Sequence, residues 1–171
     1  DIIFEGICEE DIESECYEYF DLGTDYEEIK KKLAKIDEHL KESVKYGEGI
    51  RILKQDLWET IISFIISANN NIPRIKGIID RISKKYGNKI QFRGKEYYTF
   101  PDMEHLGESS VEDLRALGLG FRDKRIYETT KMFLDKKITL EELENEQDTE
   151  VLREKLMSLS GVGGKVADCI M

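Results

Sequence analysis

The sequence predicts a mainly α-helical protein. Three observations carry that expectation: apolar residues recur at helical spacing in several separate stretches, helix-start signals precede them, and a single internal segment reads as a hairpin. Residues 1–7, DIIFEGI, are a further exception, short and β-branched, and are expected to form a strand. No internal repeat or low-complexity linker interrupts the pattern.

Taken in order, Thr24 and Glu27 are spaced as a capping box. Ile29, Leu33, Ile36, Leu40 and Val44 then recur at helical spacing, so one long helix or two short ones are expected to run to Gly47. Asp56 and Glu59 give a second start signal, and Leu57, Trp58, Ile61, Ile62, Phe64, Ile65 and Ile66 make a helix apolar on nearly every side, hence central and buried. Three asparagines suit its exit. Pro73 suits the first turn of the next helix, where a missing N–H costs nothing, and Ile75, Ile78, Ile79 and Ile82 form a stripe ending at Gly87. KIQFRGKEYYTFP reads as a hairpin around Gly94. Ser110 and Asp113 open a short helix that stops at LGLGF, and RDKRIYETTKMFL opens another. After the polar run EELENEQDTE, VLREKLMSL is helical and leads into glycines.

Composition bounds the function. The chain has 171 residues, 40% of them hydrophobic, enough for a real core. Its longest apolar run, IISFIISA, is too short to span a bilayer, so no membrane partner is expected. Three cysteines without a CxxC pair indicate neither a disulfide framework nor a zinc site, and a reducing cytosol or nucleus fits. The net charge of −10 argues against nucleic acid, but residues 1–28 carry twelve acids and no Lys or Arg. The remaining chain is about +2 and leaves basic residues free to face one partner.

SLSGVGGKVAD, residues 158–168, is helix, tight glycine turn, helix. Gly161, Gly163 and Gly164 permit close approach of backbone, and the N–H groups that open the second helix suit a phosphate. This is the helix-hairpin-helix pattern with Val162 as the apolar plug; a glycine-rich turn between two core helices is the alternative. Lys165 sits in the first helical turn, where the dipole disfavours a cation. Lowering an amine from about 10.4 to about 7.5 takes roughly 4 kcal/mol, of which a dipole supplies about 0.3–1 and at most ~2, so burial in a pocket would have to supply the rest. An exposed lysine contacting phosphate is the competing reading.

SLSGVGGKVADC, SFIISANNNIPRI and LGLGFRDKR, in this order and separation, resemble the 8-oxoguanine DNA glycosylases of the helix-hairpin-helix glycosylase superfamily. The likeness runs from about Tyr19 to Met171. The hairpin alone is shared with endonuclease III, adenine glycosylases and noncatalytic DNA-binding proteins; the asparagine and LGLGFR stretches are more specific. The resemblance implies a helical glycosylase fold over residues 23–171, with the hairpin at 150–171, and the end of an N-terminal sheet domain over 1–22. It implies base excision of 8-oxoguanine opposite cytosine by base flipping, coupled to strand cleavage.

By that resemblance Lys165 is the Schiff-base nucleophile that attacks C1′. Asn69 fills the space beside the orphaned cytosine, Arg74 and Arg122 read its acceptors with forked guanidinium groups, and Phe121 is the wedge, usually tyrosine in relatives. Asn70 lies near the damaged nucleotide, and Cys169 packs on the oxidised base. Gly161, Gly163 and Lys165 meet DNA phosphate, and the backbone carbonyls of Met157, Leu159 and Val162 hold a structural monovalent or other hard cation, with no cofactor required. Each residue has a plainer reading: the asparagines cap a helix, the arginines are solvated, Phe121 is core, Cys169 is helix packing, and His39 and His105 are surface residues. The family's catalytic aspartate follows the lysine helix, so the expectation is that it lies beyond Met171, that Asp168 is not that residue, and that the 171-residue polypeptide alone is inactive. The expected partner is duplex DNA containing 8-oxoguanine, bound by a monomer in a nucleus or a bacterial nucleoid. The alternatives are a glycosylase for another oxidised base, a noncatalytic DNA-binding module and a structural interaction domain.

Overall fold

The computed structural model describes residues 8, 10 and 12–171, so the strand expected over residues 1–7 lies outside the described residues. Two compact units make up the chain, Asp1–Gln55 and Asp56–Met171.

In the first unit a π-helical turn, Ile12–Cys16, continues into a short helical turn, Tyr17–Tyr19. Two short helices follow, α1 (Tyr26–Leu33) and α2 (Glu38–Tyr46). The expected Thr24–Glu27 box is not what starts α1. Asp25 is the cap, accepting the Glu28 N–H at 3.0 Å, because the Thr24 hydroxyl donates instead to Asp21 at 2.8 Å. The Tyr26 hydroxyl donates to the same carboxylate at 2.9 Å, and the Thr24 and Tyr26 bonds hold Asp21 below the usual carboxylate range. The helical pattern breaks into two pieces since Asp37 caps a new start, accepting the Leu40 N–H at 2.8 Å.

The second unit is built on α3 (Leu57–Ser67), capped by Asp56, whose side chain accepts the Glu59 N–H at 2.7 Å. Trp58, Ile61, Ile62, Ile65 and Ile66 are all buried, at about 1.5–3 kcal/mol each. Trp58 donates its indole N–H to the Pro101 carbonyl at 3.0 Å and meets Phe133 edge-on. Asn71 caps α4 (Ile72–Tyr86), Pro73 lies in its first turn, and Ile78 and Ile82 are buried along its stripe. The hairpin pairs β1 (Lys89–Phe92) with β2 (Lys95–Tyr98), with Lys89 opposite Tyr98 and Phe92 opposite Lys95. Its two turn residues, Arg93 and Gly94, both have positive φ, the geometry that matches strand twist.

Six α-helices and a 3-10 turn, Gly120–Arg122, complete the unit: α5 (Met103–Gly107), α6 (Val111–Ala116), α7 (Asp123–Leu134), α8 (Leu140–Glu144), α9 (Thr149–Met157) and α10 (Gly164–Ile170). α6 starts from the expected Ser110–Asp113 capping box. The polar run after Leu140 holds a helix that its composition concealed: Thr139 and Glu142 form a capping box, and Leu143 anchors the turn in the core. α10 packs on both α3 and α9, which brings the glycine turn onto the central helix.

Candidate active site

The three asparagines at the end of α3 do three different things. Asn69 takes the left-handed conformation (φ 49°), which a short polar side chain tolerates, and stands exposed. Asn70 turns inward, donating to the Ile66 carbonyl at 3.0 Å and accepting the Asn71 N–H. Asn71 caps α4 by accepting the Arg74 N–H at 3.0 Å. Capping thus accounts for Asn71 and leaves the Asn69 side chain presented outward.

Against this turn lies the LGLGFR loop, where Gly118 (φ 88°) and Gly120 (φ 61°) take conformations that favour glycine. Arginines fasten the two segments from both sides. From α4, Arg74 donates to the Gly118 carbonyl at 3.2 Å and Arg81, two turns on, donates to Leu117 at 2.7 Å. In the other direction Arg122 donates through Nε and Nη2 to Ala68 at 2.9 and 2.5 Å, through Nη2 to Asn69 at 2.7 Å, and through Nη1 to Leu119 at 3.3 Å. Arg122 is 1% exposed, and a single Nη1 hydrogen of its five N–H donors is left uncommitted. Burial pushes its guanidinium below the usual arginine range, and Arg74 and Arg125 push it further. Phe121 stands out of the loop, 54% exposed, with the Arg122 guanidinium 4.3 Å from its ring centre. It is not a core residue.

α7 also meets the glycine turn. Thr129 donates to the Ser160 carbonyl at 3.1 Å, and the Ser160 hydroxyl donates to Glu128 at 2.6 Å. Gly161 has φ 91°, and the aliphatic stem of Arg125 fills the space a side chain there would need. Val162 is 7% exposed, seated as the plug of the turn. Lys165, second residue of α10, is exposed and has no hydrogen-bond or ion-pair partner among the described residues. Cys169 lies one turn further along α10, exposed and free. Asp168 is occupied: Arg153 of α9 donates to it at 2.7 Å, reaching across the space beside Gly164. Of the three candidate cation carbonyls, Leu159 accepts the Val162 N–H at 3.1 Å and keeps a second lone pair, and Met157 and Val162 flank it within the same turn.

Asn69, Arg74, Phe121 and Arg122 are therefore gathered at one clasp, and Lys165 and Cys169 at one helix, with α7 following the clasp and bonding to the turn that precedes that helix. The model of the 8-oxoguanine DNA glycosylase N-terminal domain matches residues 3–61. An N-glycosylase/DNA lyase of Saccharomyces cerevisiae is 43% identical over 134 residues, covering 72% of this chain and 36% of its own length. The apo form of the Clostridium acetobutylicum 8-oxoguanine glycosylase/lyase superposes with a TM-score of 0.92 at 46% identity, over 96% of this chain and 57% of that one. The chain belongs to the 8-oxoguanine DNA glycosylase family. The Clostridium glycosylase has also been solved with double-stranded DNA containing cytosine opposite 8-oxoguanine, and that form superposes at 0.89 with 45% identity, over 96% of this chain and 56% of that one. This glycosylase-family chain thus spans well under two thirds of the relatives it matches.

The sequence did not single out Arg81, Arg125, Arg153, Glu128 or Ser160 at this candidate site. Arg81 carried a signal, since it lies seven residues after Arg74 on the same helix face. The other four work through contacts between separate helices or with the turn, and no local spacing marks them.

Proposed function

We propose that the chain carries the lesion-binding and nucleophilic part of a base-excision enzyme that removes 8-oxoguanine opposite cytosine from duplex DNA. The observation that carries this reading is the pairing of an exposed aromatic wedge, Phe121, seated on a buried arginine, with an exposed and unpartnered lysine at the start of α10. Flipping a nucleotide requires something to occupy the gap beside the orphaned base; Phe121 and Asn69 are presented for that task. Arg74, exposed, turns its remaining donors to the cytosine, and Arg122 adds its single free N–H.

In the reaction proposed, the Lys165 amine attacks C1′ of the everted nucleotide as the glycosidic bond breaks, the oxidised base leaves with that bond's electron pair and takes up one amine proton, and transfer of the second amine proton to O4′ opens the C1′–O4′ bond to give the imine. The resulting Schiff base acidifies the C2′ proton, whose loss expels the 3′ phosphate. Cys169 contacts the everted base, Asn70 lies near it with its amide turned onto the backbone around it, and Gly161 and Gly163 approach phosphate. The Met157, Leu159 and Val162 carbonyls, uncharged oxygens from one turn, suit a hard cation of low charge that stiffens the turn. No cofactor takes part. The enzyme acts as a monomer where its DNA is, in a nucleus or nucleoid; among the described residues no helix is long and apolar enough to cross a membrane.

Borohydride trapping on the full-length protein tests this. A covalent adduct with an 8-oxoguanine:cytosine duplex, absent in Lys165→Gln, is the expected result. Duplex binding without any adduct would instead make the chain a noncatalytic binding module, and preferred trapping on an oxidised pyrimidine would change the substrate.

A further inference from the structure

We propose that Arg125 is a DNA-backbone contact, donating its guanidinium to the phosphate that passes between the Phe121 wedge and the glycine turn. This rests on the duplex-binding function proposed above and adds a residue to it.

Three observations converge on Arg125. Its guanidinium lies 5.1 Å from the Phe121 ring centre, while its stem packs on Gly161, so one side chain spans the wedge and the turn. It is therefore held in place at both ends, and ordering it on binding costs little further side-chain entropy. Second, it has no hydrogen-bond or ion-pair partner among the described residues. Third, the acids that could have neutralised it are occupied elsewhere. α7 contains two, and Asp123 is bound by Arg115 at 2.7 Å while Glu128 accepts the Ser160 hydroxyl at 2.6 Å. Arg125 joins Arg74 and Arg122 in a group of cations close enough that Arg74 and Arg125 both depress the Arg122 guanidinium.

A half-buried, fixed guanidinium with open donors beside two others is an unbalanced positive site, and a phosphate oxygen is the anion that duplex DNA supplies in regular array. Such a contact positions the duplex and carries no sequence or lesion preference. That property separates it from a role exerted through Phe121.

The test is duplex affinity across a salt series, measured by fluorescence anisotropy on the full-length protein with 8-oxoguanine:cytosine and undamaged duplexes. For Arg125→Gln the slope of log affinity against log salt should become shallower by about 0.9, the value of one lost phosphate contact, equally on both duplexes. Arg125→Lys, which keeps the charge, should retain the wild-type slope and serves if the Gln variant is poorly folded. An unchanged slope in Arg125→Gln, a loss confined to the lesion duplex, or a shallower slope in Arg125→Lys overturns the proposal. Absence of duplex binding by the wild type at any salt would overturn the proposed function itself.

Discussion

The clasp and the glycine turn, both touched by the Arg125 side chain of α7, are built on opposite principles. At the clasp, arginine N–H donors are spent on backbone carbonyls: Arg122 is 1% exposed and holds three of them, while Arg74 and Arg81 hold two more. At the turn, α9 and α7 supply the restraints through Arg153, Thr129 and Glu128, and Lys165 itself is left untouched. The difference teaches that the clasp is locked in shape by hydrogen bonds, whereas the proposed nucleophile stands on a locked support without being locked. A nucleophile already paired in the free protein would have to break that pair before reacting.

Substitutions can break or sharpen this contrast. Lys165→Gln gives the largest functional effect, complete loss of the trapped adduct, with a stability change within about 0.5 kcal/mol, since exposed side chains without partners contribute little. A large fall in its melting temperature would erase the distinction. Arg122→Ala should act mainly on stability. The carbonyls ending α3 lose their donors, at about 3 kcal/mol in all, or roughly 6–12 °C in melting temperature for a chain of this size. Arg122→Lys should recover only part of that, because an ammonium lacks the fork that spans Ala68 and Asn69. Gly161→Ala forces a side chain into φ 91° and against the Arg125 stem, an expected loss of about 1–3 kcal/mol, read by chemical denaturation.

The smallest effect lies outside both regions and calibrates the rest. Asp102 beside His105 holds the imidazole above its usual value of 6.5. A raised folded-state value stabilises fully below the unfolded value and is lost as pH rises through the folded one. The wild-type melting temperature should therefore fall slightly more than that of His105→Gln between about pH 6 and 8. Parallel profiles would remove His105 from the account.

Much of this was legible in the sequence because it is local. Asp56, Pro73 and the Ser110–Asp113 box are start signals within one turn, and the α3 isoleucines declare burial by their density. Thr24 misled for a reason equally physical: its hydroxyl found a better acceptor in Asp21, whose position depends on the chain folding back. Asp102 and the Thr139–Glu142 box were readable signals, masked by short apolar content around them. In the site, the glycine turn drew attention to Lys165, and the resemblance to the glycosylase motifs singled out Asn69, Arg74, Phe121 and Arg122. That Arg122 faces inward, toward carbonyls 53 and 54 residues away, belongs to tertiary structure and to no motif.

The Arg153 guanidinium occupies the space beside Gly164 and is bonded to Asp168, so positions 153, 164 and 168 form one packed unit beside the lysine. A lineage that acquires a side chain at 164 must displace the guanidinium and release the aspartate, and only compensating changes at the other two sites would restore the fit. Drift at these three positions is thereby coupled, and a graft of this hairpin onto another scaffold has to carry all three together.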